Sequence, residues 1–360
     1  MDLQGQDGLL HTYREPWRRR APAAWLLGAL LFLFYLTLYF SDYLDPVARA
    51  AGLPNRWFLY GALYSLAMTA GAVYYLKRHG NSRYNRVRIA VNVAVQYVLA
   101  FLLPYAMFAL QQKDYYFSYL WPLKIDALYP SSLTYYPLYI GLYAIGASLV
   151  AAPVLAVVYG KRWYCSWICG CGGLANTFGD PFRHLADKST KSWRLEQVSV
   201  HLVLLVAITT TALVGLDFFI GDKHPGFHAI VGDMRSGYGL VAGAILSGVV
   251  GVGVYPVLGP RVWCRFFCPM VAMLGLFQKL GRFRIRVKPN MCISCGNCSA
   301  YCEMGIDVRS YAQSNTSFTR ASCVGCGMCA HVCPRGVLRL ESSWPRSKDK
   351  ARQQLRVLDI

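Results

Sequence analysis

Eight of the thirteen cysteines stand in two ordered quartets between Cys292 and Pro334. The first runs Cys292-x2-Cys295-x2-Cys298-x3-Cys302 and is followed by Glu303; the second runs Cys323-x2-Cys326-x2-Cys329-x3-Cys333 and is followed by Pro334. Thiolates at this rhythm are ligands of two [4Fe–4S] clusters: a C-x2-C-x2-C loop caps three irons of a cubane, and the following helix carries the fourth cysteine to the other cluster. The spacing predicts one cluster on Cys292, Cys295, Cys298 and Cys333, and a second on Cys302, Cys323, Cys326 and Cys329. Gly296, Gly325 and Gly327 fall inside these loops, where a backbone closing on a cluster leaves little room for a Cβ. Tetrathiolate zinc also uses C-x2-C knuckles, but it has no use for a third cysteine at the same interval.

Four more cysteines form a repeat. Gly160-Lys161-Arg162-Trp163-Tyr164-Cys165-x3-Cys169 returns as Gly259-Pro260-Arg261-Val262-Trp263-Cys264-x3-Cys268, 99 positions later throughout. A C-x3-C spacing on a helical turn puts both sulfurs on one face. If two duplicated hairpins pack symmetrically, Cys165, Cys169, Cys264 and Cys268 meet and make an additional redox-metal site, holding a further iron–sulfur cluster or copper. Arg162 and Arg261, three residues before each pair, are placed to offset thiolate charge. The plainer reading is that these are free cysteines packed as small hydrophobes. Gly170 stands where the second copy has Pro269, and Cys171 is a fifth thiol without an assigned role.

The elements that position these residues belong to a membrane protein. Of 360 residues 55% are hydrophobic and 15% charged, and the mean hydropathy is +0.30. The net charge of +19 comes from basic residues beside apolar runs rather than from a nucleic-acid motif, so no nucleic-acid partner is expected and the bilayer is the expected one. Six transmembrane helices are predicted, at about 21–40, 57–76, 89–110, 137–159, 195–220 and 240–258, each near the roughly twenty residues that cross a hydrocarbon core. The first exceeds the ~7–15 residues of a signal-peptide core and is read as uncleaved. The stretch from Gln111 to Tyr136, with Tyr115, Tyr116, Phe117, Tyr119, Trp121 and Tyr129, reads as a loop at headgroup level.

Lys and Arg number four, five and six in the segments ending at Arg20, at 77–88 and at 161–194, against two in each opposing loop. This asymmetry predicts that the first set, both termini and the ferredoxin face the cytoplasm, the chain being multi-pass in a bacterial inner membrane. A reducing compartment also suits free thiols. The expected fold is a polytopic α-helical membrane protein ending in an α+β dicluster bacterial-type ferredoxin. Its parts are a two-helix segment over 1–88, duplicated hairpins over 89–280, the ferredoxin over 281–341 and a basic tail over 342–360.

Residues 292–334 resemble the bacterial dicluster ferredoxin domain. Glu303 departs from that pattern, which has proline after the fourth cysteine, without removing a ligand. Trp263-Cys264-x3-Cys268-Pro269 after a helix, an earlier degenerate copy and a dicluster ferredoxin together resemble the membrane polyferredoxin family, over roughly the last two thirds of the chain. That family includes the NapH-type quinol dehydrogenase subunit, the NosR-type nitrous oxide respiration protein and the CcoG-type copper reductase. The chain has no room for the flavin-binding domain of the NosR type before its first helix, nor for the immunoglobulin-like domain of the CcoG type after the ferredoxin. Its layout is nearest the NapH type with two additional helices. The resemblance implies an oxidoreductase subunit that moves electrons between quinone, or a membrane partner, and other redox subunits. The copper reductase member implies the other reading, in which the C-x3-C thiols bind and reduce copper for a cuproenzyme; a redox-sensing subunit is the third.

Other residues carry less. Asn92 and Gln96 share a helix face and serve either a quinone carbonyl or interhelical bonding. His201 lies inside a predicted helix, where a two-histidine haem would need a partner; a bond to a neighbouring helix is the plainer role. Asp217, Asp222, His224, His228 and Asp233 gather in the predicted fifth-to-sixth loop and serve either proton or metal binding or solvation. Nucleophile elbows, phosphate loops and dinucleotide glycines are absent from the sequence.

Overall fold

The computed structural model describes residues 22–111 and 113–343. The N-terminal arginines and all of the basic tail beyond Ser343 lie outside the described residues. Among the described residues six long helices follow one another: α1 Pro22–Phe40, α2 Arg56–His79, α3 Arg83–Gln111, α4 Leu138–Tyr159, α5 Thr190–Ile220 and α6 Pro225–Gly253. Five of them, all except α2, are long and apolar enough to cross a membrane. The helix α2 interrupts its apolar run with Tyr60, Tyr64, Ser65, Thr69 and Tyr74. It starts at Asn55, whose side chain accepts from the amides of Trp57 at 2.9 Å and Phe58 at 3.3 Å. It ends in Lys77, Arg78 and His79, cations suited to a helix C-terminus.

Two expectations need correction. The last long helix begins at Pro225 rather than near 240, after a tight turn at Gly221–Lys223. Proline is well placed at a helix start, where no intrahelical amide bond is lost. His224 caps this helix, His228 and Asp233 lie on it, and His228 Nδ1 is 2.9 Å from Asp217 Oδ2 at the end of α5. The aromatic stretch between α3 and α4 is likewise not a surface loop. Tyr115, Ser118, Leu120, Ile125 and Tyr129 are buried. The segment dips between the helices, where Tyr164 Oη donates to the Ser118 carbonyl at 2.8 Å and Trp121 Nε1 donates to Thr211 at 3.0 Å. Cover by protein of this kind is what irregular backbone requires inside a bilayer.

Past α6 the chain makes one-turn helices and then α7, Pro269–Lys279. Strand β1, Phe283–Val287, pairs antiparallel with β2, Leu338–Ser342, in a register that sets Phe283 opposite Ser342. Both cysteine quartets lie between these strands. The ferredoxin is not a separate lobe: Cys165, Trp263, Cys264 and Met270 share one hydrophobic core with Phe283, Ile285, Ile306 and Phe318.

Candidate iron–sulfur and thiol sites

The two quartets wall two cavities. Cys292, Cys295, Cys298 and Cys333 line one, together with Ile293, Arg309 and Arg335. Cys302, Cys323, Cys326 and Cys329 line another, with Ile285, Val324 and Phe318. Each three-cysteine loop turns through a left-handed glycine, Gly296 at φ +79° and Gly327 at φ +79°, that precedes a one-turn helix. Backbone amides face the sulfurs; Val337 N donates to Cys333 Sγ at 3.4 Å. Burial pushes the Cys298 and Cys323 thiols up to about 12 and Cys302 up to about 11. Such thiols do not ionise by themselves at neutral pH, whereas a bound metal group deprotonates its thiol ligands outright. Among the described residues no three His, Cys, Asp or Glu side chains are gathered tightly enough for a single ion. Four thiols around an open cavity suit a polynuclear group.

Two of the loop glycines have a reason other than the expected one. A Cβ on Gly325 would lie 2.6 Å from Arg162 Cβ, and one on Gly327 would lie 2.8 Å from Tyr84 Cε1. These glycines let the loop of the second quartet press against the helical part, where Tyr84 Oη also donates to the Gly325 carbonyl at 3.0 Å.

The duplicated motifs have matched geometry. Gly160 and Gly259 take positive φ, +72° and +95°. The amide of Cys169 donates to the Tyr164 carbonyl at 2.8 Å, and that of Cys268 to the Trp263 carbonyl at 3.0 Å. The expectation of both sulfurs on one helical turn fails in both copies. Cys165 and Cys264 lie on the one-turn helices Arg162–Cys165 and Val262–Phe266, while Cys169 and Cys268 precede new helices that start at Gly170 and Pro269. The break comes from those residues, one too flexible for a helix interior and the other unable to continue one. All four thiols are nonetheless buried in one place, and each lies within electrostatic reach of a thiol of the other copy. The Cys171 thiol is hydrogen-bonded to Cys169 and holds the Cys169 thiol below its ordinary range. Burial pushes Cys165 up to about 12 against the pull of Lys161.

The charge around these thiols is arranged differently in the two copies. Arg261 serves its own copy, with Nη1 3.7 Å from Cys264 Sγ. Arg162 does not reach a thiol; it donates to Ser342 Oγ at 2.9 Å and lies over the Phe283 ring. Lys161, fully buried, takes its place beside Cys165. Glu303 then joins both parts of the molecule: it pairs with Arg261 at 2.9 Å and Arg183 at 2.6 Å. Burial alone would raise its carboxyl pKa, but the two guanidinium groups outweigh that and hold it below the usual range. Arg183 also pairs with Asp180 at 2.7 Å, and Asp180 lies 3.4 Å from His79. Of this network the sequence marked Glu303, as a missing proline, and Arg261, as an offset to thiolate charge; Arg183 and Lys161 looked like ordinary basic loop residues.

The weaker candidates make local contacts, although the buried Asn92 side-chain nitrogen and oxygen have no hydrogen-bond partner among the described residues. Gln96 donates to the Ile168 carbonyl, and Asn92 faces Gly173, whose absent Cβ would lie 2.2 Å from its Oδ1. His201 Nδ1 lies 2.6 Å from the Gln197 carbonyl of its own helix, not a neighbouring one.

A family described as a 4Fe-4S dicluster domain matches residues 285–340. Another, described as a 4Fe-4S binding domain, matches twice, at 142–189 and 241–288, the same offset as the cysteine repeat. A protein of Escherichia coli K12 provisionally named as an electron transport protein, YccM, is 27% identical over 47% of this chain and 48% of its own. Two uncharacterized proteins of Methanocaldococcus jannaschii, MJ0749 and MJ0750, are 26% and 25% identical over 44% and 45% of the chain, and over 58% and 66% of their own lengths. The chain thus spans about half to two thirds of these relatives. No solved structure matches it.

Proposed function

We propose that this protein is a membrane-bound iron–sulfur electron carrier that passes electrons between the quinone pool, or a membrane partner, and other redox proteins. The observation that carries the reading is the succession of three thiol groups in one continuous core: the buried C-x3-C thiols, the cavity of Cys302, Cys323, Cys326 and Cys329, and the cavity of Cys292, Cys295, Cys298 and Cys333. The cavity of Cys302, Cys323, Cys326 and Cys329 is covered by the helical part, while that of Cys292, Cys295, Cys298 and Cys333 carries exposed Ile293, Pro334 and Arg335 at its mouth. In this reading each cavity quartet holds one [4Fe–4S] cluster, which supplies one-electron chemistry when bound. Cys165, Cys169, Cys264 and Cys268 hold a further redox-metal group, and the ferredoxin lies on the cytoplasmic side of an inner membrane. The name of the E. coli relative supports electron transport.

Anaerobic purification with assay of iron, sulfide, copper, flavin and haem tests the reading, followed by addition of a quinol. About eight irons per chain belong to the two clusters. Reduction of the clusters by quinol is expected; inertness toward quinol would leave a membrane protein partner as the donor, and copper at the C-x3-C thiols would point to metal handling. Replacing Cys333 by Ala is expected to damage the cluster of Cys292, Cys295 and Cys298, and loss confined to the other cluster would reject crossed ligation.

A further inference from the structure

We propose that Glu303 and Arg261 are the contact through which an electron passes between the buried C-x3-C thiol site and the cavity of Cys302, Cys323, Cys326 and Cys329. The proposal rests on both being redox sites, as read above. Glu303 is joined to Cys302 by a peptide bond. Its Oε1 accepts from Arg261 Nη2 at 2.9 Å, while Nη1 of the same guanidinium lies 3.7 Å from Cys264 Sγ. The path between the two sulfurs therefore consists of covalent bonds and two hydrogen bonds. Electronic coupling decays much more slowly along bonds than across an open gap, so this is a favourable route between the sites.

Three further observations single it out. Glu303, Arg261 and Cys264 are 1%, 2% and 5% exposed, so water does not compete for the two hydrogen bonds. The matched position of the other quartet is Pro334, which is exposed, and no carboxylate follows Cys333. Only the quartet that faces the thiol site has the acid. The repeat partner of Arg261 is turned away, since Arg162 is bonded to Ser342. A competing bridge exists in the first copy, where Ser166, next to Cys165, donates to the carbonyl of Val324, next to Cys323, at 2.7 Å. It joins Cys165 to Cys323 through a single hydrogen bond and is the rival route, which the Ser166→Ala variant tests.

With metal groups bound at both sites, one electron lost by the group that Cys302, Cys323, Cys326 and Cys329 would hold would be gained by the group that the C-x3-C thiols would hold, each changing by one equivalent. No bond or proton is exchanged, and the reverse step uses the same contact. The test uses the full chain in nanodiscs, flash-reduced by a photogenerated deazaflavin radical as the one-electron donor. The radical reduces the two ferredoxin clusters first, and a second optical phase, the decay of their reduced absorbance, reports passage on to the thiol site. Iron, sulfide, EPR integrals and midpoint potentials are measured for each variant, so that altered assembly or driving force is separated from altered coupling.

Glu303→Ala with full cluster content is expected to slow the second phase at least tenfold. Glu303→Gln, which can keep one hydrogen bond to the guanidinium, slows it less, and Ser166→Ala leaves it unchanged. An unaltered rate in Glu303→Ala, a larger loss in Ser166→Ala, or no second phase in the unsubstituted protein overturns the proposal. If Glu303→Ala does not assemble its clusters, Arg261→Lys decides, because it keeps the charge and loses the fork: a slowed phase supports the contact and an unaltered one overturns it. Cys264→Ser with Cys268→Ser distinguishes the underlying reading. Unchanged metal content and kinetics there remove the thiol site itself, whereas dependence on Cys264 without dependence on Glu303 overturns only the route.

Discussion

Single residues in this protein matter most where charge is buried. Arg88, Arg183, Arg261, Arg265 and Lys161 are at most 3% exposed, against Asp180, Glu196 and Glu303. The surplus of positive charge beside cysteines is what a thiolate-rich site needs, since buried anions persist only with compensation. Removing one member leaves its partners charged in a medium that cannot solvate them. Arg183→Ala is therefore expected to cost about 3–5 kcal/mol, because Glu303 and Asp180 both lose a partner. Arg286→Ala breaks an exposed pair with Glu341 at 3.2 Å and is expected to cost less than about 1 kcal/mol. Thermal unfolding of the purified protein, followed by cluster absorbance, compares the two. Equal losses would mean that the buried network is not under charge stress.

At the scale of elements, the contact between the second quartet and the helices depends on the absence of side chains. Gly325, at φ +63°, would set a Cβ 2.6 Å from Arg162 and 3.0 Å from Phe283. Gly336, at φ +58°, has open space around it. Alanine at either position carries the left-handed backbone penalty of about 1–2 kcal/mol, but only at Gly325 does it also push the ferredoxin away from the helices. Gly325→Ala is expected to expose β1 and the second cavity to limited proteolysis, and Gly336→Ala to leave the digestion pattern unchanged. Identical digestion of the two variants would show that the docking tolerates the added methyl group.

For the whole molecule the main question is which side of the membrane the clusters face. The basic loops at 77–88 and 161–194 lie at the same end of the helices as the ferredoxin: Tyr84, Lys161 and Ser166 all bond to it. The positive-inside rule predicts that this end is cytoplasmic. A reporter active only in the periplasm is then expected to work when fused in the turn after Lys223, and to fail after Ile360. An active fusion after Ile360 would reverse the orientation and place both cavities outside the cytoplasm.

The ligand rhythm, the apolar runs and the 99-residue repeat are local in sequence, and each implies its physics without knowledge of the fold: thiol spacing, helix length, duplication. That is why the cysteines, most of the long helices and the paired motifs were legible beforehand. The course of residues 113–136 was not, because aromatic composition suits both a membrane interface and a packed interior, and only the contact with Tyr164 and Thr211 selects the second. The early start of α6 was hidden by the polar residues of an exposed amphipathic turn. The roles of Arg162 and Lys161 could not be told apart along the chain, since adjacent cations look alike until packing points one at Phe283 and buries the other beside Cys165. Glu303 is the clearest case. The sequence by itself determined that it stands where its sister quartet has a proline; only the tertiary structure, by bringing Arg183 and Arg261 from 120 and 42 positions away into contact with it, decided that the departure is an ionic joint between the ferredoxin and the thiol repeat.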